Sequence, residues 1–271
     1  MRPDATTERI LRAHLREMPF HRVLIRTIEA KILLVAPLPR PVLDIGSGDG
    51  HFGSILFPGG ADVGLDRGLA DLAEARGRGV YRLLVGADSG AMPFADGRFS
   101  SVVSNCVFEH IPDIDRTIGE IARVLKPGGT FACTVIGDRF SELLTDERAW
   151  RRWGLGGVHR AYLAWYNRNA AHFHFDSPEV WTTRFDRAGL AVKSWRYYLS
   201  PEAPRVMHRD HYLSLPHLVA RKLTGRWVPF PALTDTAFWV QRFGRLAEEP
   251  APEVGSCIAF TCTRRADSPV E

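Results

Sequence analysis

Apolar and polar residues recur in two registers along this chain, a helical one and a strand one. Over residues 6–35, Ile10, Leu11 and Leu15, then Val23, Leu24, Ile28, Ile32 and Leu33, fall near a 3.6-residue period. This predicts two amphipathic helices divided at Pro19. Pro37, Pro39 and Pro41 form a stiff connector into the apolar run Val42-Leu43-Asp44-Ile45, which reads as a buried parallel strand. Further strands are expected at 61–66, 80–85, 99–105, 130–136, 190–199 and 255–263. A short helix is expected at 51–56, and Ile114, Ile118, Ile121, Val124 and Leu125 make the stripe of another, which stops at Lys126-Pro127-Gly128-Gly129. Ser177 is placed as N-cap and Pro178 as first residue of a later helix ending at Gly189. Strands alternating with helices predict an α/β chain with a mostly parallel sheet.

The first strand runs straight into Gly46-Ser47-Gly48-Asp49-Gly50, with glycine at every second position. Glycine serves where the backbone takes positive φ or must approach a bound molecule closely. The spacing is tighter than that of the dinucleotide fingerprint, and the flanking carboxylates Asp44 and Asp49 would repel a pyrophosphate. The second strand ends in Asp66, roughly twenty residues on, the distance at which α/β nucleotide folds place a carboxylate on a ribose. A helix cap is the alternative role for Asp66.

This stretch resembles motif I of the class I S-adenosylmethionine-dependent methyltransferases. Three later landmarks follow in the order seen in that family: Gly86-Ala87-Asp88-Ser89-Gly90-Ala91-Met92-Pro93-Phe94, the segment Asn105 to Asp113 with Glu109-His110 inside it, and Leu125-Lys126-Pro127-Gly128-Gly129. The resemblance runs from Pro41 to Ile136. It implies a Rossmann-like sheet of seven strands with the last strand antiparallel, and S-adenosyl-L-methionine as cofactor. The implied cofactor-binding residues are Asp44 at the ammonium group, Gly46, Ser47, Gly48 and Gly50 around the methionine part, Asp66 on the ribose, and Asp88 on the adenine amine. Ala87, Arg67, Ser89 and Asn105 are counted with them. Asp88 also suits a simple Asp-Ser-Gly turn. The Asn/Asp-Pro-Pro-aromatic motif of base-modifying enzymes is not matched.

His110 is the first candidate for a general base, His174 the second, and Glu109 is expected to orient acceptor or cofactor. If residues 172–176 are extended, His172, His174 and Asp176 share a face. A base, a divalent metal or plain helix initiation are the competing readings there, and no metal site is assigned.

The expected organisation is a helical cover over 1–40 and a methyltransferase core over 41–199 and 255–264, with a lid insertion at 137–171 and a cap at 200–254. Trp150, Trp153, Tyr162, Trp165 and Tyr166 among arginines mark the lid as a possible acceptor contact or as helix core. Residues 212–230 mix basic, aromatic and aliphatic side chains, as in a segment touching lipid, a substrate cap or a dimer contact.

Composition changes this picture little. The chain has 271 residues, 45% of them hydrophobic and 24% charged, a formal net charge of +4, and no apolar run of spanning length. The N-terminal arginines alternate with Glu8, Glu17 and Glu29, which suits a solvated helix face, so no nucleic-acid partner is expected. Met1-Arg2-Pro3-Asp4 lacks a secretory layout, and Cys106, Cys133, Cys257 and Cys262 have no metal spacing. A cytoplasmic protein with buried free thiols is therefore expected. The expected activity is methyl transfer to oxygen, nitrogen or carbon of a small acceptor such as a natural product, sugar or lipid. The alternatives are a non-methylating or noncatalytic cofactor binder and an RNA-directed methyltransferase. The acceptor and oligomeric state are left open by the sequence.

Overall fold

The computed structural model describes residues 3–145, 147–169 and 171–266, and the chain divides into two compact units. One comprises residues 33–137, 171–196 and 258–271, the other residues 1–32, 138–170 and 197–257.

The first unit holds the sheet. In chain order its strands are β1 (Val42–Ile45), β2 (Ala61–Asp66), β3 (Tyr81–Gly86), β4 (Phe99–Asn105), β5 (Leu125–Ile136), β6 (Leu190–Tyr198) and β7 (Cys257–Arg264). They lie side by side as β3-β2-β1-β4-β5-β7-β6, a mixed sheet whose β1–β5 pairings are parallel. All four residues of β1 are buried, as a strand flanked by β2 and β4 and covered on both faces must be. Leu33, Val42, Leu56, Val103 and Ala132 form one core cluster against it. β3 and β6 are the edge strands.

Between strands lie α3 (His51–Leu56), α4 (Leu69–Arg78), α5 (Ile114–Val124) and α9 (Pro178–Arg187). They are preceded by α1 (Ala5–Glu17) and α2 (Phe20–Leu34) and interleaved with α6 (Phe140–Leu144), α7 (Glu147–Arg152) and α8 (Gly156–Asn169). α5 buries Ile114, Thr117, Ile118, Ile121 and Val124 at i, i+3, i+4, i+7 and i+10, starts at Asp113, and is followed directly by β5. α4 stops at Gly79, whose φ of 66° is the left-handed conformation that ends helices.

Two expectations change, and residues 200–254 take a form the sequence left open. β5 begins at Leu125, five residues before the expected Thr130: Leu125 pairs with Phe99, and the ladder shifts register before Ser101 pairs with Thr130. Lys126-Pro127-Gly128-Gly129 is therefore an irregular stretch within the strand. Ser177 occupies the N-cap of α9, but its hydroxyl bonds Glu179 Oε2 at 2.6 Å and leaves the helix amides alone. Residues 200–254 are mostly helical: α10 (Ala203–Leu213), α11 (Leu215–Thr224), α12 (Pro231–Thr234) and α13 (Ala237–Ala247).

The stretches read as cover, lid and cap fall largely in the second unit. Its core includes Ile10, Leu11 and Leu15 of α1 and Val240, Phe243 and Leu246 of α13. Asp235 accepts from Arg12 at 2.7 Å and Arg16 at 2.6 Å. Arg242 forks onto the buried Asp210 at 2.6 and 2.8 Å, lying 5.1 Å from both the Trp239 and Phe243 ring centres. All four cysteines are buried free thiols.

Candidate functional site

Strand order reverses between β1 and β4, and in open parallel sheets ligands bind beyond the carboxyl ends of strands at such a point. A cleft of about 400 Å³ opens there, within the volume range of small-molecule sites. Its wall includes Ile45 and Gly46 at the end of β1, Asp66 and Arg67 at the end of β2, and Ala87, Asp88 and Ser89 after β3. Val107, His110 and Ile111 after β4 and Arg116 of α5 also contribute.

The turn after β1 is held by its own backbone. Gly46 N and Ser47 N both donate to Leu65 O, at 2.8 and 3.1 Å. Gly46, Gly48 and Gly50 have φ of 74°, 52° and 76°. A Cβ on Gly46 would lie 2.3 Å from Val107 Cγ2, whereas one on Gly48 would meet no protein atom within 4 Å. Glycine at 46 is thus required by packing, whereas Gly48, which is not among the residues of the cleft wall, borders open space.

Asp66 is doubly engaged. Its Oδ2 accepts from Gly48 N at 2.9 Å and its Oδ1 from Gly68 N at 2.8 Å. A carboxylate has about four acceptor positions, so Asp66 retains capacity toward the cleft. Asp88 closes an Asx turn, accepting from Gly90 N at 2.6 Å, and Ser89 Oγ lies 3.1 Å from Thr117 Oγ1. Polar edges at 66, 88 and 89 beside apolar Ile45, Leu65, Val107 and Ile111 fit a nucleoside, with its flat ring and hydroxylated sugar.

Other named residues lie off this wall. Asp44 is buried in β1, where Tyr81 Oη donates to its Oδ2 at 2.6 Å. Burial pushes the Asp44 carboxyl up to about 7, against the downward pull of the Tyr81 hydroxyl. Tyr81 is driven upward in turn, first by burial and then by Asp44. Ser47 is buried, its Oγ without a hydrogen-bond partner among the described residues. Gly50 N-caps α3 and backs onto Ala75 of α4. Asn105 Oδ1 accepts from Thr134 Oγ1 at 2.8 Å.

The segment after β4 turns through a single 3-10 turn, Phe108–His110. Residues 171–174 run alongside it and hydrogen-bond to it. His110 Nδ1 lies 3.2 Å from Ala171 O, Phe173 N donates to Glu109 O at 2.7 Å, and His174 Nε2 lies 2.9 Å from Ile111 O. A carbonyl only accepts, so His110 carries its proton on Nδ1 and His174 on Nε2. The His172 ring lies 5.1 Å from that of His110, and burial, then the charge of His110, lowers its pKa to about 4. Of the three catalytic candidates only His110 lines the cleft, whereas Glu109 is buried beneath the turn and His174 is turned toward Ile111 and Trp181. Asp176 Oδ2 lies 3.9 Å from His174 Nδ1 and pairs with Arg184 at 3.1 Å, and no group of three or more metal-ligating side chains gathers among the described residues.

Sequence reasoning missed Tyr81, Val107, Ile111 and Arg116. Val107 was detectable in principle, since a glycine at 46 needs a neighbour that crowds it. Tyr81 was not, because its partner lies 37 residues away.

Residues 43–133 match the family described as a methyltransferase domain. A malonyl-[acyl-carrier protein] O-methyltransferase of Methylococcus capsulatus is 34% identical over 128 residues, covering 45% of this chain and 46% of that protein. A demethylmenaquinone methyltransferase of Thermus thermophilus is 36% identical over 104 residues, covering 36% of this chain and 47% of that protein. The chain thus spans about half the length of these curated relatives. Among solved structures, phosphoethanolamine N-methyltransferase 2 of Haemonchus contortus, in complex with S-adenosyl-L-methionine, superposes with a TM-score of 0.57 at 17% identity. The match covers 89% of this chain and 52% of that one, and shows a shared fold.

Proposed function

We propose that this chain, whose residues 43–133 are a class I S-adenosylmethionine-dependent methyltransferase domain, transfers a methyl group from that cofactor to a small-molecule or carrier-linked acceptor. The observation that carries the reading is the cleft in which Gly46, Asp66 and Asp88 converge from the ends of three adjacent parallel strands.

When bound, S-adenosylmethionine supplies an already electrophilic methyl group, so the protein's task is alignment and exclusion of water. The open face of Gly48 admits the methionine part, Asp66 accepts from the ribose hydroxyls through its remaining lone pairs, and Asp88 accepts from the adenine amine. Ile45, Leu65, Val107 and Ile111 provide the apolar surface. Asp44 acts on this set through the turn above it. His110, the candidate that lines the cleft, takes the proton of an acceptor hydroxyl or amine. Glu109 and His174 act indirectly, by fixing the two backbones between which His110 is set.

The two curated relatives carry chemically unlike acceptors in their names, so turnover is tested across several acceptor classes. Calorimetric titration with S-adenosylmethionine tests the cofactor assignment, with binding expected in the wild type and lost in Asp66→Ala. Release of S-adenosylhomocysteine across a panel of hydroxyl, amine and carbon acids tests turnover. Failure of the wild type to bind overturns the proposal, and binding without release for every acceptor class favours a noncatalytic role.

A further inference from the structure

Helix α11 is inside out. It spans Leu215–Thr224, and at 100° per residue Leu215, Leu218, Val219 and Leu223 occupy an arc of about 140°. A helix of a globular domain turns such a stripe inward. Here the four are 54%, 43%, 56% and 79% exposed, and the buried side chain is His217, whose ring packs edge-on against Phe20 at 4.7 Å. Beyond the helix, Phe230 and Leu233 are 68% and 72% exposed. Exposed apolar residues clustered on one element mark an interaction surface, since scattered ones need no partner.

The charges of the segment have one sign. Between Asp210 and Asp235 the chain has Arg221, Lys222 and Arg226 and no carboxylate. The two bounding acids are neutralised within the unit, Asp210 by Arg242 and Asp235 by Arg12 and Arg16. Lys222 points out within the apolar arc, and neither it nor Arg226 pairs with a carboxylate among the described residues. Arg221 bonds Gly225 O at the helix end. An aliphatic arc with a lysine inside it is the arrangement in which the stem lies among apolar groups and the ammonium reaches a polar layer. Trp227 stands two residues after Gly225, the C-cap of the helix, as an amphipathic ring at such a boundary would.

We infer that the outward face of α11, with Phe230 and Leu233, docks this protein onto an anionic lipid surface. The helix lies in the interface and does not cross it, and no helix among the described residues is long and apolar enough to span a membrane. Negative headgroups attract the unpaired cations while the leucines enter the acyl boundary. A protein partner would need a complementary acidic groove. A bilayer supplies charge and apolar depth together, which matches a face that carries both on a segment without a carboxylate between Asp210 and Asp235. This surface stands independently of the chemistry in the cleft.

Sedimentation of the full chain with vesicles tests it. Binding to vesicles of phosphatidylglycerol and phosphatidylcholine, absence of binding to pure phosphatidylcholine, and release by salt are expected. Lys222→Glu with Arg226→Glu should weaken binding by roughly fivefold or more per position. Val219→Glu with Leu223→Glu should abolish it. These side chains are exposed, so circular dichroism should be unchanged, and the first variant keeps the apolar face whole. Failure to bind anionic vesicles overturns the proposal. So does a concentration-dependent dimer without lipid that Val219→Glu with Leu223→Glu dissolves, since the face is then covered by a second copy.

Discussion

Tyr81→Phe removes one oxygen from the interior, and its cost should depend on pH in a way set by Asp44. The hydroxyl donates at 2.6 Å to a carboxyl that burial holds at about 7, against an ordinary value of 3.8. Because this folded-state value is raised, the folded protein holds the proton more tightly than the unfolded chain. The resulting contribution is complete below pH 4, declines as pH rises and is gone above pH 7, on the order of 4 kcal/mol in all. Above pH 7 the lost bond is one to a charged acceptor, worth about 2 kcal/mol, and at pH 5 it is one to a neutral acid, worth about 1 kcal/mol. Tyr81→Phe should therefore destabilise the sheet unit about twice as much at pH 8.5 as at pH 5. Urea unfolding of wild type and variant in parallel, read at both pH values, measures this difference, and every other titrating group cancels between the two proteins. An equal loss at both, or a larger one at pH 5, would refute the account of Asp44 as an acid held near neutrality.

Other consequences are simpler to measure. Gly48→Val forces a φ of 52° on a branched residue and should lower stability by about 1–3 kcal/mol. A Cβ there meets no protein atom within 4 Å, so calorimetry should show a folded protein with cofactor binding lost. Asp66→Asn leaves a single side-chain oxygen for two backbone amides and a ligand, and the dissociation constant for S-adenosylmethionine should rise about tenfold or more. His110→Ala should leave that constant unchanged and lower turnover roughly 10²-fold or more, with the loss shrinking for acceptors that need no deprotonation.

Much of the sheet was legible because its physics is local. β2, β4 and α3 begin and end where alternation, glycine and the acid at the strand end put them. β5 was misjudged at its start, because Pro-Gly-Gly reads as a stop unless Phe99 is known to lie alongside Leu125. The cleft was legible at Gly46, Asp66 and Asp88, which end or follow strands in sequence. It was not at Val107, Ile111 or Arg116, ordinary residues that reach the wall only because β4 adjoins β1. For Asp44 the residue was found but not its surroundings: a carboxylate in a strand looks the same in sequence whether it faces a ligand or a phenol from β3.

The grip of Asp66 on Gly48 and Gly68 means that the cradle exists before anything occupies it. Little conformational entropy is then left to lose on association, so uptake should be a single fast phase without a slow isomerisation. The two amides should be protected from deuterium in the empty protein and gain little further protection on saturation.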